Sequence, residues 1–434
     1  MRTSIHLDIR PSVPQRDRDS QSEWVDSMSV IPFISAAKIA GLSTTTFSGL
    51  KTTSIAALAT TQMAALTAAQ VNALTSTDLQ YLVTAQVQAI SSTTMSGLIE
   101  AQIQAFTDTQ IGELTSMQVS ALTATEIGAL SPTELQNLST TQANALTATQ
   151  IGSLSTTVLN NLTTTQVAGL TATQAQGLTT TQLNALSTAN LNALDVSELE
   201  TGQVAGLSTT AIDNLTATQV AALAATAVAA LNASQIEELT TAELQNLSTT
   251  QANALTATQI GSLSTTVLNN LTTTQVAGLT ATQAQGLYWS QLNGLSTSNL
   301  NALDVALLLP VQMVGLYTTT VTNLTSTQVG ALTAAEIGAL TVAGINNLTT
   351  DEIAAFTTTQ AGGLTSTQIA GMTTANFSAL SSTSGIPGLS TSAIAGLTTA
   401  EINSLSTTQG HAFDMAQIAV MSMDVANALA ALIG

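Results

Sequence analysis

An apolar residue recurs every eight positions along almost the whole chain, and few folds accept that period. Leu42, Leu50, Leu58, Leu66, Leu74 and Leu82 open the series, which runs through Ile90, Leu98, Phe106 and Leu114 to Leu194. It resumes at Leu207 and runs to Leu303, then from Leu316 to Leu380, and from Leu389 to Leu429. Roughly 45 octads share the pattern Leu, Ser/Thr, Thr/Ala, Thr, Gln/Glu, Val/Ile/Leu, small, small. Eight residues of α-helix turn through about 800°, so in one unbroken helix the leucine stripe would drift about 80° per octad and never form a face. In a strand, positions one and six point to opposite sides. That pattern fits only a sheet buried on both faces, so a β-solenoid is the alternative reading.

One short helix per octad satisfies the pattern better. Thr147-Ala148-Thr149-Gln150 has the capping-box spacing: the Thr hydroxyl accepts an amide three residues on, and the Gln side chain reaches back to the Thr amide. Leu146 and Ile151 then stand at the two positions of a hydrophobic staple. Thr163/Gln166 with Leu162/Val167, and Thr325/Gln328 with Leu324/Val329, repeat the arrangement. The small residues closing each octad, as in Val167-Ala168-Gly169, suit a helix end. A helix this short is unstable alone and must bury its apolar residues against neighbours. The expectation is therefore an all-α, elongated α-solenoid, stabilised by nearest-neighbour contacts. Leu162, Val167, Leu170 and Ala175 form its inner seam, and Thr, Ser, Gln and Asn face outward.

Breaks in phase divide the array. Leu194 to Leu207 and Leu303 to Leu316 are both 13-residue steps, and Glu134–Leu178 recurs unchanged as Glu243–Leu287. A block was duplicated with a 109-residue offset, breaks included. The 13-residue segments read as kinks or register corrections. Gly and Pro in Ser384-Gly385-Ile386-Pro387-Gly388 predict a loop. The organisation read from this is a polar, disordered leader (1–33), octad arrays at 34–201, 202–315 and 316–388, and terminal octads at 389–434. Met28 stands directly before the repeats, and translation is expected to start either there or at Met1.

The charges narrow the partners. The formal net charge is −19, and every cation (Arg2, Arg10, Arg16, Arg18, Lys38 and Lys51) lies before Thr52. A body without Lys or Arg has no footprint for nucleic acid and no attraction to an anionic membrane. No apolar run spans a bilayer, and no secretory signal is apparent at the N-terminus. The chain has no cysteine, so no disulfide framework is available.

The octads resemble Leu/Thr/Gln-rich repeats of large secreted or surface proteins of bacteria, often labelled adhesin-like. That resemblance covers about residues 34–434 and implies an extracellular or cell-surface location, with a cytoplasmic one as the alternative; the apolar C-terminal segment is a candidate signal for type I-like export. Leu-Thr-Ala-Thr-Gln-Ile also resembles the opening of a repeat in the TAL effectors, a DNA-binding α-solenoid family. Their longer repeats and basic residues are missing here.

Residues arranged for chemistry are sparse. His6 and His411 stand alone, no Gly-x-Ser-x-Gly elbow occurs, and no phosphate-binding glycine loop occurs. Glu237-Glu238 and Asp351-Glu352 read as solvated positions rather than metal ligands. The Asn-Leu-Thr sequons at Asn161, Asn270, Asn323 and Asn347 follow mechanically from the octad. The reading is a chain without enzyme activity, cofactor or metal. Two features stand out. Tyr288-Trp289 replaces the Thr179-Thr180 pair of the other copy, and Tyr317 occupies the same octad position as Tyr288; these are candidate contacts for a partner or glycan. The apolar end, with Phe413, Met415, Ile418, Met421, Leu429 and Leu432, is a candidate self-association or export segment. The function expected is a structural spacer, filament subunit or adhesin stalk that self-associates. The alternatives are a binding module for a peptide or glycan, and an ice-binding protein using Thr rows.

Overall fold

In a computed structural model of the chain, residues 31–434 are described. The expected leader, with His6, therefore lies outside the described residues except for Ile31–Phe33. Those three form a 3₁₀ turn with Ile31 buried. Ile31 is tied to the octads that follow: Gln62 Nε2 donates to the Ile31 and Ile34 carbonyls at 2.7 and 2.6 Å. The chain falls into two compact units, Met1–Leu199 and Glu200–Gly434. Each is an all-α, solenoid-like array of short helices. No strand occurs among the described residues, so the β alternative fails.

The octad folds as its spacing dictates. Thr147 is extended (φ −76°, ψ 158°), helix Ala148–Ser153 follows, and Leu154 returns the chain to extended geometry (φ −65°, ψ 144°). The Gln150 N–H donates to Thr147 Oγ1 at 3.2 Å and the Thr147 N–H donates to Gln150 Oε1 at 2.6 Å, closing the box. Leu146 and Ile151 are buried, as are Leu162, Val167, Leu170 and Ala175 along the expected seam. Each buried Leu, Val or Ile contributes roughly 1.5–3 kcal/mol, which holds helices too short to stand alone.

Each helix packs on the third one before it. In the first unit, Ala172–Gly177 lies on Ala148–Ser153; in the second, Thr249–Ala254 lies on Ala225–Ala230. The approach is close enough that a Cβ at Gly177 would come within 2.6 Å of the Ala148 carbonyl oxygen. Hydrogen bonds reach one helix further. Gln166 Nε2 donates to the Leu135 and Leu138 carbonyls at 2.8 and 2.7 Å, at the end of the fourth helix back. One turn therefore closes between three and four octads.

This corrects one expectation. The octad glutamines do not face outward: Gln70, Gln118, Gln166, Gln182 and Gln283 are all buried. The reason is that a primary amide has two ends. Its oxygen accepts the cap N–H of its own octad, and its nitrogen donates to two carbonyls at the end of a helix one turn away, one of which, such as that of Leu138, the helix itself leaves unpaired.

The breaks are also more regular than their spacing suggested. Each 13-residue step is an octad plus a five-residue repeat. Asp304 Oδ1 accepts the Ala306 N–H at 3.1 Å, starting a 3₁₀ turn at Val305–Leu307. That turn packs on helices Ala281–Gly286 and Ser326–Ala331, three elements before and after it, as an ordinary helix would. Only the sequence offset changes: Gln328 bonds Leu300 and Leu303, 28 and 25 residues back rather than 31 and 28. The segment expected as a loop is helical as well. Gly385–Gly388 forms one turn with Ile386 fully buried, packed on helix Thr358–Gly362. Pro387 needs no amide partner in a first turn, and a Cβ at Gly388 would meet the Thr358 carbonyl oxygen at 2.6 Å.

Candidate binding surface

Position seven of the octad carries a second set of inter-turn bonds. Asn160 Nδ2 donates to the Ala185 carbonyl at 2.7 Å while its Oδ1 accepts the Ser187 N–H at 2.8 Å. Asn72, Asn269, Asn293 and Asn346 do the same one turn ahead. Asn160, Asn269 and Asn346 hold the cap N–H of octads whose box residue is short: Asn190, Asn299 and Asn376 accept nothing from their own caps and donate only to carbonyls of the previous turn.

Against this uniform surface the three aromatic residues stand out, and the fold brings them together. Trp289 and Tyr317 rings approach to 6.4 Å between centroids, tilted by 59°. Tyr288, Trp289 and Tyr317 are 63 %, 46 % and 59 % exposed. Two glycines seat the rings. A Cβ at Gly315 would clash with the Trp289 indole, and one at Gly261 would lie 3.3 Å from a Tyr288 ring carbon. Both tyrosines occupy cap positions and make no side-chain cap bond; the Tyr288 N–H keeps only the Gln291 half of the box, at 2.8 Å. Tyr288 and Trp289 border a groove of about 450 Å³ whose far side is Leu309 and Val311.

Leu309 and Val311, which line the groove with the aromatics, and the neighbouring Val314 are exposed too, and the octad pattern does not single them out. Setting the two 13-residue breaks side by side carries the signal. Glu200, Gly202 and Ala205 in the first become Leu309, Val311 and Val314 in the second.

The apolar end is divided. Phe413 and Leu429 are buried, Ile418, Met421 and Leu432 are half-buried, and Met415 is exposed. The final helix, Met423–Ile433, is far longer than an octad helix and packs on Thr399–Asn403 and Thr407–Gly410. His411 is exposed, with Nδ1 2.8 Å from the Thr407 carbonyl oxygen. Glu237, Glu238 and Asp351 are exposed; Glu237 accepts the Ser264 N–H and Glu352 the Thr349 N–H. Among the described residues no three His, Asp or Glu side chains gather as metal ligands, and no helix is long and apolar enough to cross a membrane.

Residues 228–265 match the ALTTAQ repeat family. The matched ALTTAQ segment holds helices Ala233–Glu237, Thr241–Asn246, Thr249–Ala254 and Ala257–Ser262 in full. It includes Gln235, Gln251 and Gln259, whose side-chain amides bond the previous turn. A comparison with curated protein sequences gives no match.

Proposed function

We propose that this chain is a non-enzymatic structural repeat protein, a spacer or stalk at the cell surface whose copies associate with one another. The observation that supports this most is the glutamine ladder. Octads with Gln at the box position are tied to the previous turn by a recurring pair of bonds, as Gln182 is to Ile151 and Leu154 at 2.7 and 2.8 Å. Octads can therefore be added or removed without redesigning any contact, as the unchanged block at 243–287 illustrates. Stability in such arrays is a sum over neighbours, so length is free to vary while the fold is kept.

The decisive experiment is labelling of the native protein on cells by electron microscopy, beside a variant lacking residues 195–303, one full duplication offset. A spacer places the terminal label measurably closer to the cell in the variant. Label inside the cell, or an unchanged distance, rejects the reading. Self-association is read from Met415, Val420 and Met423, exposed near the apolar end. Replacing all three by Ser spares the buried Phe413 and Leu429 and should reduce particle size in light scattering.

A further inference from the structure

We infer that the groove beside the second 13-residue break is a binding site for an uncharged, proline-rich peptide segment. The duplicated copies supply the first observation. Between the first copy and the second, Thr179, Thr180 and Ser208 become Tyr288, Trp289 and Tyr317, while Glu198, Glu200 and Gly202 become Leu307, Leu309 and Val311. Forty-five residues of the same block, 134–178 and 243–287, did not change at all. Five of these six meet at one place in the fold: Tyr288, Trp289, Leu309 and Val311 line the groove, and the Tyr317 ring approaches that of Trp289. All of them move from small, hydroxyl or carboxylate side chains to large apolar or aromatic ones. Two of them, at Tyr288 and Tyr317, give up a hydroxyl cap that Thr179 and Ser208 carry, so the changes run against local helix stability.

Charge and donor chemistry select the occupant. No charged side chain lines the groove, and the two glutamates of the first break, Glu198 and Glu200, are replaced here by Leu307 and Leu309, so a basic partner finds no counter-charge. The change adds apolar area and ring faces, with the indole N–H and phenol O–H as the new polar groups, and no carboxylate lines the groove to accept from an oligosaccharide's hydroxyls. A proline-rich segment in the polyproline II conformation has flat apolar rings, no charge and unpaired carbonyls that accept from such donors. Gln285 adds a further donor at the rim. The volume falls in the roughly 300–1,000 Å³ range of ligand clefts, and Gly261 and Gly315 hold the rings in place before binding.

The test is calorimetric titration of the full chain with a synthetic uncharged proline-rich decapeptide and, separately, with a neutral hexasaccharide. The variant Y288T/W289T restores the Thr179-Thr180 pair of the other copy, and circular dichroism checks that it keeps its helical signal. Saturable binding of the peptide, at least tenfold weaker in the variant, supports the site. Because Trp24 and Trp289 are the two tryptophans, W24F isolates the Trp289 emission, which should shift on peptide binding. No binding, undiminished binding by a folded variant, or binding of the hexasaccharide in place of the peptide overturns the proposal.

Discussion

Asn72 and Gln102 compete for one proton. Asn72 Oδ1 accepts the Ile99 N–H at 3.0 Å, the same N–H that the box oxygen of Gln102 would otherwise take. Gln102 Oε1 is left buried without a partner, alone among the buried side-chain polar atoms of the described residues. At the parallel pairs Asn160/Asn190 and Asn269/Asn299 the conflict is absent, because Asn is too short to reach back. Gln102→Asn should therefore raise stability by about 1 kcal/mol, the penalty of an unsatisfied buried acceptor. Asn72→Ala should be milder than Asn160→Ala, since only the former frees an N–H for a waiting Gln. Chemical denaturation of the three variants checks the order.

Gln182 and Gln136 are one residue type at two octad positions, and they should differ sharply. Gln182 accepts from the Thr179 N–H and donates to two carbonyls from a buried position. Gln136 makes one 3.3 Å bond on the surface. Gln182→Leu keeps the volume but strands the Thr179 amide and the Leu154 carbonyl, a loss of roughly 2–4 kcal/mol. Gln136→Leu should stay within about 0.5 kcal/mol. Thermal melts of both variants measure the gap.

Glu401 holds the box position without an N–H to give. Burial pushes its carboxyl above the usual range, against the bonds from the Thr398 amide and hydroxyl that pull it down. A raised folded-state value means this group favours folding below its ordinary 4.5, and that contribution is lost as pH rises through the folded value. Glu401→Gln should thus stabilise the protein at pH 7 by about 1 kcal/mol, with the advantage shrinking toward pH 4. Gln409, one octad on, displays the gain available: its Nε2 reaches the Ser378 and Leu380 carbonyls at 2.7 and 2.8 Å. Denaturation midpoints across that pH range test it.

Asp78 is the opposite case. Burial works against its charge, yet three donors outweigh burial: the Thr75 hydroxyl, the Thr52 hydroxyl one turn back, and the Thr75 amide, at 2.6, 2.7 and 2.9 Å. Its carboxyl is held below the ordinary 3.8. A depressed value stabilises the fold above that ordinary value, and the contribution fades as pH falls through the lower folded one. Asp78→Asn should cost roughly 2 kcal/mol at pH 7, as hydrogen bonds to a charged acceptor weaken. The difference should shrink as pH falls from the ordinary 3.8 through the lower folded-state value. Urea titrations at pH 7 and pH 3 would show it.

The candidate surface was only half legible in the sequence. Tyr288, Trp289 and Tyr317 break the octad consensus and announce themselves. Leu309, Val311 and Val314 sit in a segment already irregular, where apolar residues look like core. Comparison with Glu200, Gly202 and Ala205 of the first break hints at a surface, and their exposure establishes it.

The sequence by itself determined everything inside one octad. Thr147, Gln150, Leu146 and Ile151 are close enough along the chain that capping and stapling geometry follow from spacing alone. The tertiary structure decided what happens across a turn: that Gln166 turns inward to Leu135 and Leu138, that Asn160 reaches Ser187, and that five residues at Asp304–Leu308 fill the place of eight. These bonds join residues 25 to 31 apart. A period of eight does not encode that distance. It emerges from how closely Gly177 and Ala148 let one helix settle on the third before it.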